Sequence, residues 1–159
     1  MILVSWNCRG LGSSLKSNAA RDLIIHEQPD LFLIQETKLS NQDFQTFTKR
    51  HKSFAGTAID SVGASGGIGT LWNNRKWDLT NQNSSNWWVR TDLKNNITKE
   101  EYTVLNIYAP NHYRDKAFCW DSINSELQAC QNRNTIMGGD LNLIRNIEEK
   151  IGGKFLVDP

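Results

Sequence analysis

The sequence predicts an α/β domain built from buried strands and amphipathic helices. Short apolar segments alternate with segments in which apolar residues recur at helical spacing. Several apolar segments end in acids and amides, as strands do when they enter a functional loop. No repeat, linker or low-complexity tract interrupts this order, so we expect a single domain over residues 1–159.

The first half of the chain predicts strand, helix, strand and helix, in that order. Residues 2–6 are apolar and β-rich, and they enter a loop with two glycines. Residues 17–28 show helical periodicity, and residues 31–34 form an unbroken apolar run typical of a strand buried on both faces. A second helix is expected over residues 41–52. The apolar residues on the two predicted helical faces are Ala20, Leu23, Ile24, Phe44 and Phe47.

The middle of the chain predicts further strands. Glycines at 63, 66, 67 and 69 indicate a loop that leads into a strand at residues 68–72. Residues 86–93 and 102–108 both have strand composition, and the short polar stretch between them suits a hairpin turn. We therefore expect an antiparallel pair there.

A third helix and a last short strand complete the predicted order. Residues 115–131 carry Phe118, Ile123, Leu127 and Cys130 at helical intervals. Residues 135–137 then predict a strand, which ends at two glycines and Asp140.

Composition limits the classes of function. The formal net charge is +1, so no large field would hold the whole molecule on nucleic acid or a membrane, and any phosphate binding must be local. The three cysteines are odd in number and lie in no metal-ligand spacing, which argues against a disulfide framework and a zinc site. No signal-peptide core or membrane-span pattern is readable, so we expect a nuclear or cytoplasmic protein.

Polar side chains follow four of the predicted strands. Taken singly, an Asp or Asn after a strand is more often a turn former or helix cap. Glu36 is harder to explain in that way, because glutamate is a poor turn residue, and its alternative is a solvated strand end paired with Lys38. The four clusters are Asn7, Gln35 with Glu36, Tyr108 to Asn111, and Asp140 with Asn142.

Hydrolysis of a phosphate ester is the chemistry that would use these clusters. Magnesium prefers carboxylate, amide and water oxygens, and it usually binds through one or two carboxylates plus the substrate phosphate. Glu36, helped by Asn7, could supply that site. Asp140 and Asn142 could orient an attacking water and a phosphate oxygen, and Tyr108 could donate to the phosphate or assist the leaving group.

Four motifs in the chain resemble those of the endonuclease/exonuclease/phosphatase superfamily, which includes exonuclease III, AP endonucleases and DNase I. They are SWNCRGL at 5–11, LIQETKLS at 33–40, NIYAPN at 106–111 and MGGDLN at 137–142. The residue sequences of these motifs, together with GGIGTLW at 66–72 and IEEKIGG at 147–153, are most similar to those of the endonuclease domain of plant-type non-LTR retrotransposons.

The resemblance implies a four-layer α/β sandwich of the DNase I-like kind that uses Mg²⁺ or Mn²⁺. It places Asn7 and Glu36 at metal-site positions and Tyr108 at the phosphate-contacting tyrosine. Asp140 and Asn142 match the catalytic pair that aligns the nucleophilic water.

The resemblance also implies DNA contacts, and it has two departures. Asn111 and Arg114 match DNA-contacting positions. Arg9 stands where AP endonucleases usually show an acid. The family's later segment, with a metal-site Asp and a catalytic Ser-Asp-His, has no counterpart before residue 159. We therefore expect a domain that is incomplete at its C-terminus. None of the three histidines is a good substitute for the missing one: His26, His51 and His112.

Three functions remain open at this point. The first is a divalent-metal DNA endonuclease from a retrotransposon, acting as a monomer, with a reverse transcriptase encoded in the same element. The second is a non-catalytic remnant that keeps the fold and weak metal or nucleic-acid binding. The third is a phosphatase of small phosphate esters, which the YAPN and QETK spellings favour less.

Overall fold

The computed structural model describes residues 1–62 and 65–143. The IEEKIGG segment and Gly63 lie outside the described residues. The secondary structure elements of the described part, in chain order, are β1 Leu3–Asn7, α1 Ser14–Glu27, β2 Leu31–Gln35, α2 Asn41–Lys49, β3 Phe54–Val62, β4 Ser65–Asn73, β5 Trp77–Ser84, β6 Trp88–Asn95, β7 Glu101–Tyr108, α3 Tyr113–Ala129 and β8 Asn134–Asp140.

The strands form two four-stranded sheets, with the orders β1-β2-β4-β3 and β5-β6-β7-β8. Each sheet contains one parallel pair: β1 with β2, connected through α1, and β7 with β8, connected through α3. The remaining neighbours pair antiparallel, including the predicted β6 and β7 pair. In each parallel pair the carboxyl ends of both strands lie at the same sheet edge, which matters for the site.

Three apolar clusters divide the molecule into four layers. One cluster packs α1 and α2 on the outer face of the first sheet through Phe32, Phe44 and Leu71. A second lies between the two sheets, and a third packs α3 on the second sheet. Successive β2 residues therefore face different layers, and all five are buried. The predicted four-layer α/β sandwich and the strand buried on both faces are confirmed.

Two strands were missed, and the glycine-rich loop was predicted wrongly. β5 is exposed along all but its first residue, and its sequence WDLTNQNS has no apolar alternation that would mark a strand. β3 is rich in small residues, which weakens the same signal. Gly66, Gly67 and Gly69 lie inside β4 rather than in a loop, and at Gly67 and Gly69 neighbouring groups leave no room for a side chain. A Cβ on Gly69, for example, would lie 2.2 Å from the Phe44 ring.

The predicted helices exist, but two details were wrong. α2 ends at Lys49, so residues 50–52 are not helical. Phe118 is 67% exposed, and Cys119 takes its expected place on the buried face of α3, on the same side as Ile123. No helix in the described part of the chain is long and apolar enough to span a membrane.

Candidate active site

The polar ends of four strands meet at one edge of the sandwich. The parallel pairs are in register up to their last residues, where Asn7 faces Gln35 and Tyr108 faces Asp140. The side-chain nitrogen of Asn7 donates to Glu36 Oε1 at 2.9 Å and to Asp140 Oδ2 at 2.7 Å. Asn7 ends β1 and Glu36 directly follows β2 in the first sheet, whereas Asp140 ends β8 in the second, so one amide connects the two sheets at this edge.

The Asn7 amide is held in one orientation. Its nitrogen donates to two carboxylates, and its oxygen accepts a hydrogen bond from the Arg9 backbone N–H at 3.1 Å. Each polar atom thus has a partner of the opposite kind, which assigns oxygen and nitrogen. In this arrangement Asn7 holds the two carboxylates, whereas direct contact with a metal would require its amide to turn.

Tyr108 contributes a protonated hydroxyl to the same cluster. Its burial, together with its hydrogen bond to Glu36 and the charges of Glu36 and Asp140, raises its pKa to about 12, although the positive charge of Arg9 acts in the opposite direction. The phenol therefore keeps its proton at neutral pH and can donate a hydrogen bond.

Asp140 and Asn142 form a compact turn at the end of β8. The Asn142 backbone N–H donates to Asp140 Oδ1 at 2.9 Å, and φ of Asn142 is 48°. The Asn142 side-chain nitrogen donates to the Ala109 carbonyl at 2.6 Å, while the Ala109 N–H donates to the Asp140 carbonyl at 2.9 Å. The loops after β7 and β8 are thereby joined, and Asn142 is fixed beside Asp140.

Glu36 is placed by a loop whose backbone is unusual. Its φ is 51°, a left-handed conformation that a residue with a Cβ adopts only when its surroundings impose it. The loop is held on one side by a hydrogen bond from Gly10 N to Glu36 O at 2.7 Å, and on the other by one from Thr37 N to Gly67 O at 3.0 Å. Gly67 must be glycine, because φ is 81° and a Cβ would lie 2.3 Å from Thr37 Oγ1.

A buried pair of amide side chains, Gln35 and Asn106, lies next to the site and connects the strands that carry it. Gln35 Nε2 donates to Asn106 Oδ1 at 2.6 Å, and Asn106 Nδ2 donates to the Gly69 carbonyl at 2.9 Å. Gln35 and Asn106 are 1% and 0% exposed. Gln35 precedes Glu36, and Asn106 lies in the same strand as Tyr108, so this bond fixes two site residues relative to each other. The signal for it was polar residues inside otherwise apolar strands, but the pairing could not be deduced.

The two predicted DNA-contacting residues lie outside the cluster. Asn111 is in the loop after β7 and Arg114 is in the first turn of α3, and both are exposed. Arg9 belongs to the surroundings of the site although no site role was predicted for it, because it lies two residues after Asn7 in the site loop and its charge acts on Tyr108.

The site opens into a groove of about 460 Å³ whose lining includes Asn7, Gln35, Asp140 and Asn142. Within residues 1–62 and 65–143, no three His, Cys, Asp or Glu side chains converge as a complete metal cage. Glu36 and Asp140 share one amide and form no salt bridge with a described residue. This donor set fits Mg²⁺, which binds through one or two carboxylates and completes its shell with water and phosphate oxygens.

Comparison with known proteins gives a consistent result. The sequence profile described as "Endonuclease/Exonuclease/phosphatase family" matches residues 4–148. No curated protein matches the chain at a significant level.

Solved structures with the same fold include an AP endonuclease, a sulfate-bound catalytic domain and a DNA-bound 3′ phosphatase. The AP endonuclease LMAP from Leishmania major has a TM-score of 0.73 and 18% identity, with 96% of this chain and 58% of that one covered. The human nocturnin catalytic domain with bound sulfate has a TM-score of 0.70 and 16% identity, with 91% of this chain and 64% of that one covered. The 3′ phosphatase NExo from Neisseria, bound to a product DNA hairpin, has a TM-score of 0.67 and 13% identity, with 90% of this chain and 58% of that one covered. This chain spans less than two thirds of each, and the likeness at these identities shows the fold.

Proposed function

We propose, because this chain belongs to the endonuclease/exonuclease/phosphatase family, that its site hydrolyses phosphodiester bonds of DNA with the help of a divalent cation. The observation that carries the proposal is the meeting of Glu36 and Asp140 around one Asn7 amide. Two carboxylates held this close without a described cationic partner are costly to the fold, and they are the arrangement expected where an external cation binds.

The cation would be held by Glu36, with Asn7 fixing the carboxylate, and it would supply charge stabilisation to the phosphate. Asp140 accepts a proton from the attacking water and, with Asn142, orients it. The Tyr108 hydroxyl, protonated at neutral pH, donates to a phosphate oxygen or to the leaving group. These groups lie at strand ends or in tight turns and are joined by hydrogen bonds, so their positions are set before substrate arrives.

DNA is the substrate that the relatives favour. An AP endonuclease and a 3′ phosphatase bound to a DNA product share this fold. The spellings WNCRG, QETK and YAPN support an endonuclease from a plant-type non-LTR retrotransposon, with Asn111 and Arg114 as further DNA contacts. In that setting a reverse transcriptase would be encoded in the same element, and the protein would act as a monomer in the nucleus or cytoplasm.

Nicking of supercoiled plasmid by the purified chain with Mg²⁺ or Mn²⁺ tests the proposal. The variants are Glu36→Ala and Asp140→Ala, with EDTA as the metal control. Asp30→Asn is the control, because Asp30 is a buried carboxylate that directly precedes β2, at the end of the strand opposite to Glu36. We expect metal-dependent nicking by the wild type and Asp30→Asn, and a loss of about 100-fold or more in the two site variants.

The alternatives give different results in the same preparation. A folded wild-type chain that does not nick DNA would contradict the endonuclease proposal and support a non-catalytic remnant. Metal-dependent release of inorganic phosphate from a small phosphate ester, without nicking, would support a phosphatase.

A further inference from the structure

Arg9 lies in the loop that follows Asn7, and the position of its backbone beside the site residues is fixed. Its N–H donates to Asn7 Oδ1 at 3.1 Å, and its φ is 50°. The next residue, Gly10, donates to the Glu36 carbonyl at 2.7 Å. The Arg9 backbone is therefore fixed between the residue that holds both carboxylates and the residue that carries one of them.

The Arg9 side chain is exposed, and its charge reaches the site. The positive charge acts on the Tyr108 hydroxyl. Arg9 forms no salt bridge with Glu36, Asp140 or any other described residue, so its guanidinium is available to a ligand. The position of a Cβ on Gly10 is 3.5 Å from Lys38 Cδ, which places the stem of Lys38, another exposed cation, against the same turn.

The acidic side chains of the site favour a role for a nearby basic side chain in binding a polyanion. A phosphodiester that enters the groove meets the acidic Asp140, which shares the Asn7 amide with Glu36, and the chain as a whole carries a net charge of only +1. Attraction for a polyanion must therefore come from individual cations near the groove. An arginine suits this purpose, because its planar guanidinium stays charged and can bind two phosphate oxygens at once.

We propose that Arg9 binds a backbone phosphate of the DNA strand next to the phosphate that is cleaved. This inference rests on the proposed function for the identity of the ligand, but it concerns binding rather than turnover. Arg9 would favour a continuous strand over a small phosphate ester, because only the strand carries a neighbouring phosphate.

The chain offers a matched control at the other end of the molecule. Arg75 is also exposed, and its backbone N–H also donates to the side chain of the asparagine two residues before it, Asn73, at 3.1 Å. Arg75 follows β4 and lies far along the strands from the site edge. Arg9→Met and Arg75→Met therefore remove the same charge from residues with the same backbone hydrogen bond to an asparagine, near the site in one case and away from it in the other.

The experiment measures binding of a fluorescein-labelled DNA duplex by anisotropy, in EDTA so that no cleavage occurs, across a salt series. We expect Arg9→Met to weaken binding about tenfold and to reduce the slope of log affinity against log salt by about 1, as the loss of one phosphate contact requires. Arg9→Lys should restore the slope and part of the affinity. Duplexes with a single neutral methylphosphonate should identify one phosphate whose replacement no longer weakens binding by Arg9→Met.

Wild-type affinity and slope in Arg9→Met would overturn the inference, as would an equal loss in Arg75→Met or no DNA binding by the wild-type chain. Thermal melting checks that each variant is folded. Because binding is measured without turnover, the two proposals fail separately. Absent nicking with Arg9-dependent binding contradicts only the endonuclease, and nicking with Arg9-independent binding contradicts only the role of Arg9.

Discussion

A carboxylate lies next to each end of strand β2, and the two carboxylates differ in their hydrogen-bond and charge partners. At its start, Asp30 is 6% exposed and accepts hydrogen bonds from the Lys76 ammonium and the Ile2 N–H, each at 2.7 Å. At its end, Glu36 accepts from the neutral Asn7 amide, which it shares with a second acid, Asp140. A carboxylate with its own cation and N–H donor stabilises the fold, whereas two carboxylates around one amide are available to a cation from outside.

The largest test of this difference uses the cation itself. Mn²⁺ should raise the free energy of unfolding of the wild type by about 2.7 kcal/mol at a concentration about 100 times its Kd. Asp30→Asn should show the same increase, because this variant keeps both Glu36 and Asp140. Glu36→Gln should lose most of the increase. Thermal melting with and without Mn²⁺ measures the effect. An equal increase in all three proteins would mean that the cation binds elsewhere.

The second test concerns Asp30. Burial alone would raise its pKa, but the Lys76 ammonium and the Ile2 N–H outweigh burial and lower the pKa below the ordinary 3.8. Stability from such a group is present above the unfolded-state pKa and is lost as the pH falls through the folded-state pKa. Near neutral pH, we expect Asp30→Asn to cost about 2 kcal/mol of unfolding free energy.

Urea unfolding over a pH series measures this cost. The difference between wild type and Asp30→Asn should persist down to about pH 5 and disappear in the acid range below the pKa of the unfolded Asp. A difference that stays constant into that range would show that Asp30 acts through its shape rather than its charge.

The strand β2 and the polar residue that follows it could be predicted from the sequence, but the contacts between distant residues that complete the site could not. The unbroken apolar run before Gln35 indicated a strand buried on both faces, and glutamate directly after it indicated a functional end. The contact between Asn7 and Asp140, however, joins residues 133 apart in two different sheets. Nothing local specifies how two sheets face each other, so the motifs gave the members of the cluster and only the fold gave their distances.

The errors have a common physical cause. Hydrophobic periodicity predicts a strand only where its apolar side chains are buried. It therefore gives no signal where a strand is exposed, as in β5, or where glycine makes room for a neighbouring side chain, as at Gly69 in β4. It also cannot choose between adjacent helical residues, and it selected Phe118 where the buried residue is Cys119. The Asp30 pairing was missed because Lys76 lies 46 residues away.

A third and smaller effect concerns the amide pair beneath the site. Replacing Gln35 by Asn, or Asn106 by Gln, should cost about 1.5 kcal/mol, because each leaves a buried amide badly paired. The exchange of both residues keeps the summed side-chain length, so the double variant should recover part of that loss. Urea unfolding of the four proteins gives the coupling energy. Strict additivity would show that the two amides do not act together.

The smallest effect separates the Lys76 ammonium from the Ile2 N–H as partners of Asp30. Lys76 has a side chain that is 51% exposed, so water screens its charge, and such pairs contribute little. Lys76→Gln should therefore cost only about 0.5 kcal/mol, and less at high salt. If instead it costs as much as Asp30→Asn, the ammonium rather than the Ile2 N–H holds the carboxylate. The contrast with Glu36 would then depend on one exposed lysine, and a lysine placed beside Glu36 would be enough to turn a site into a structural pair.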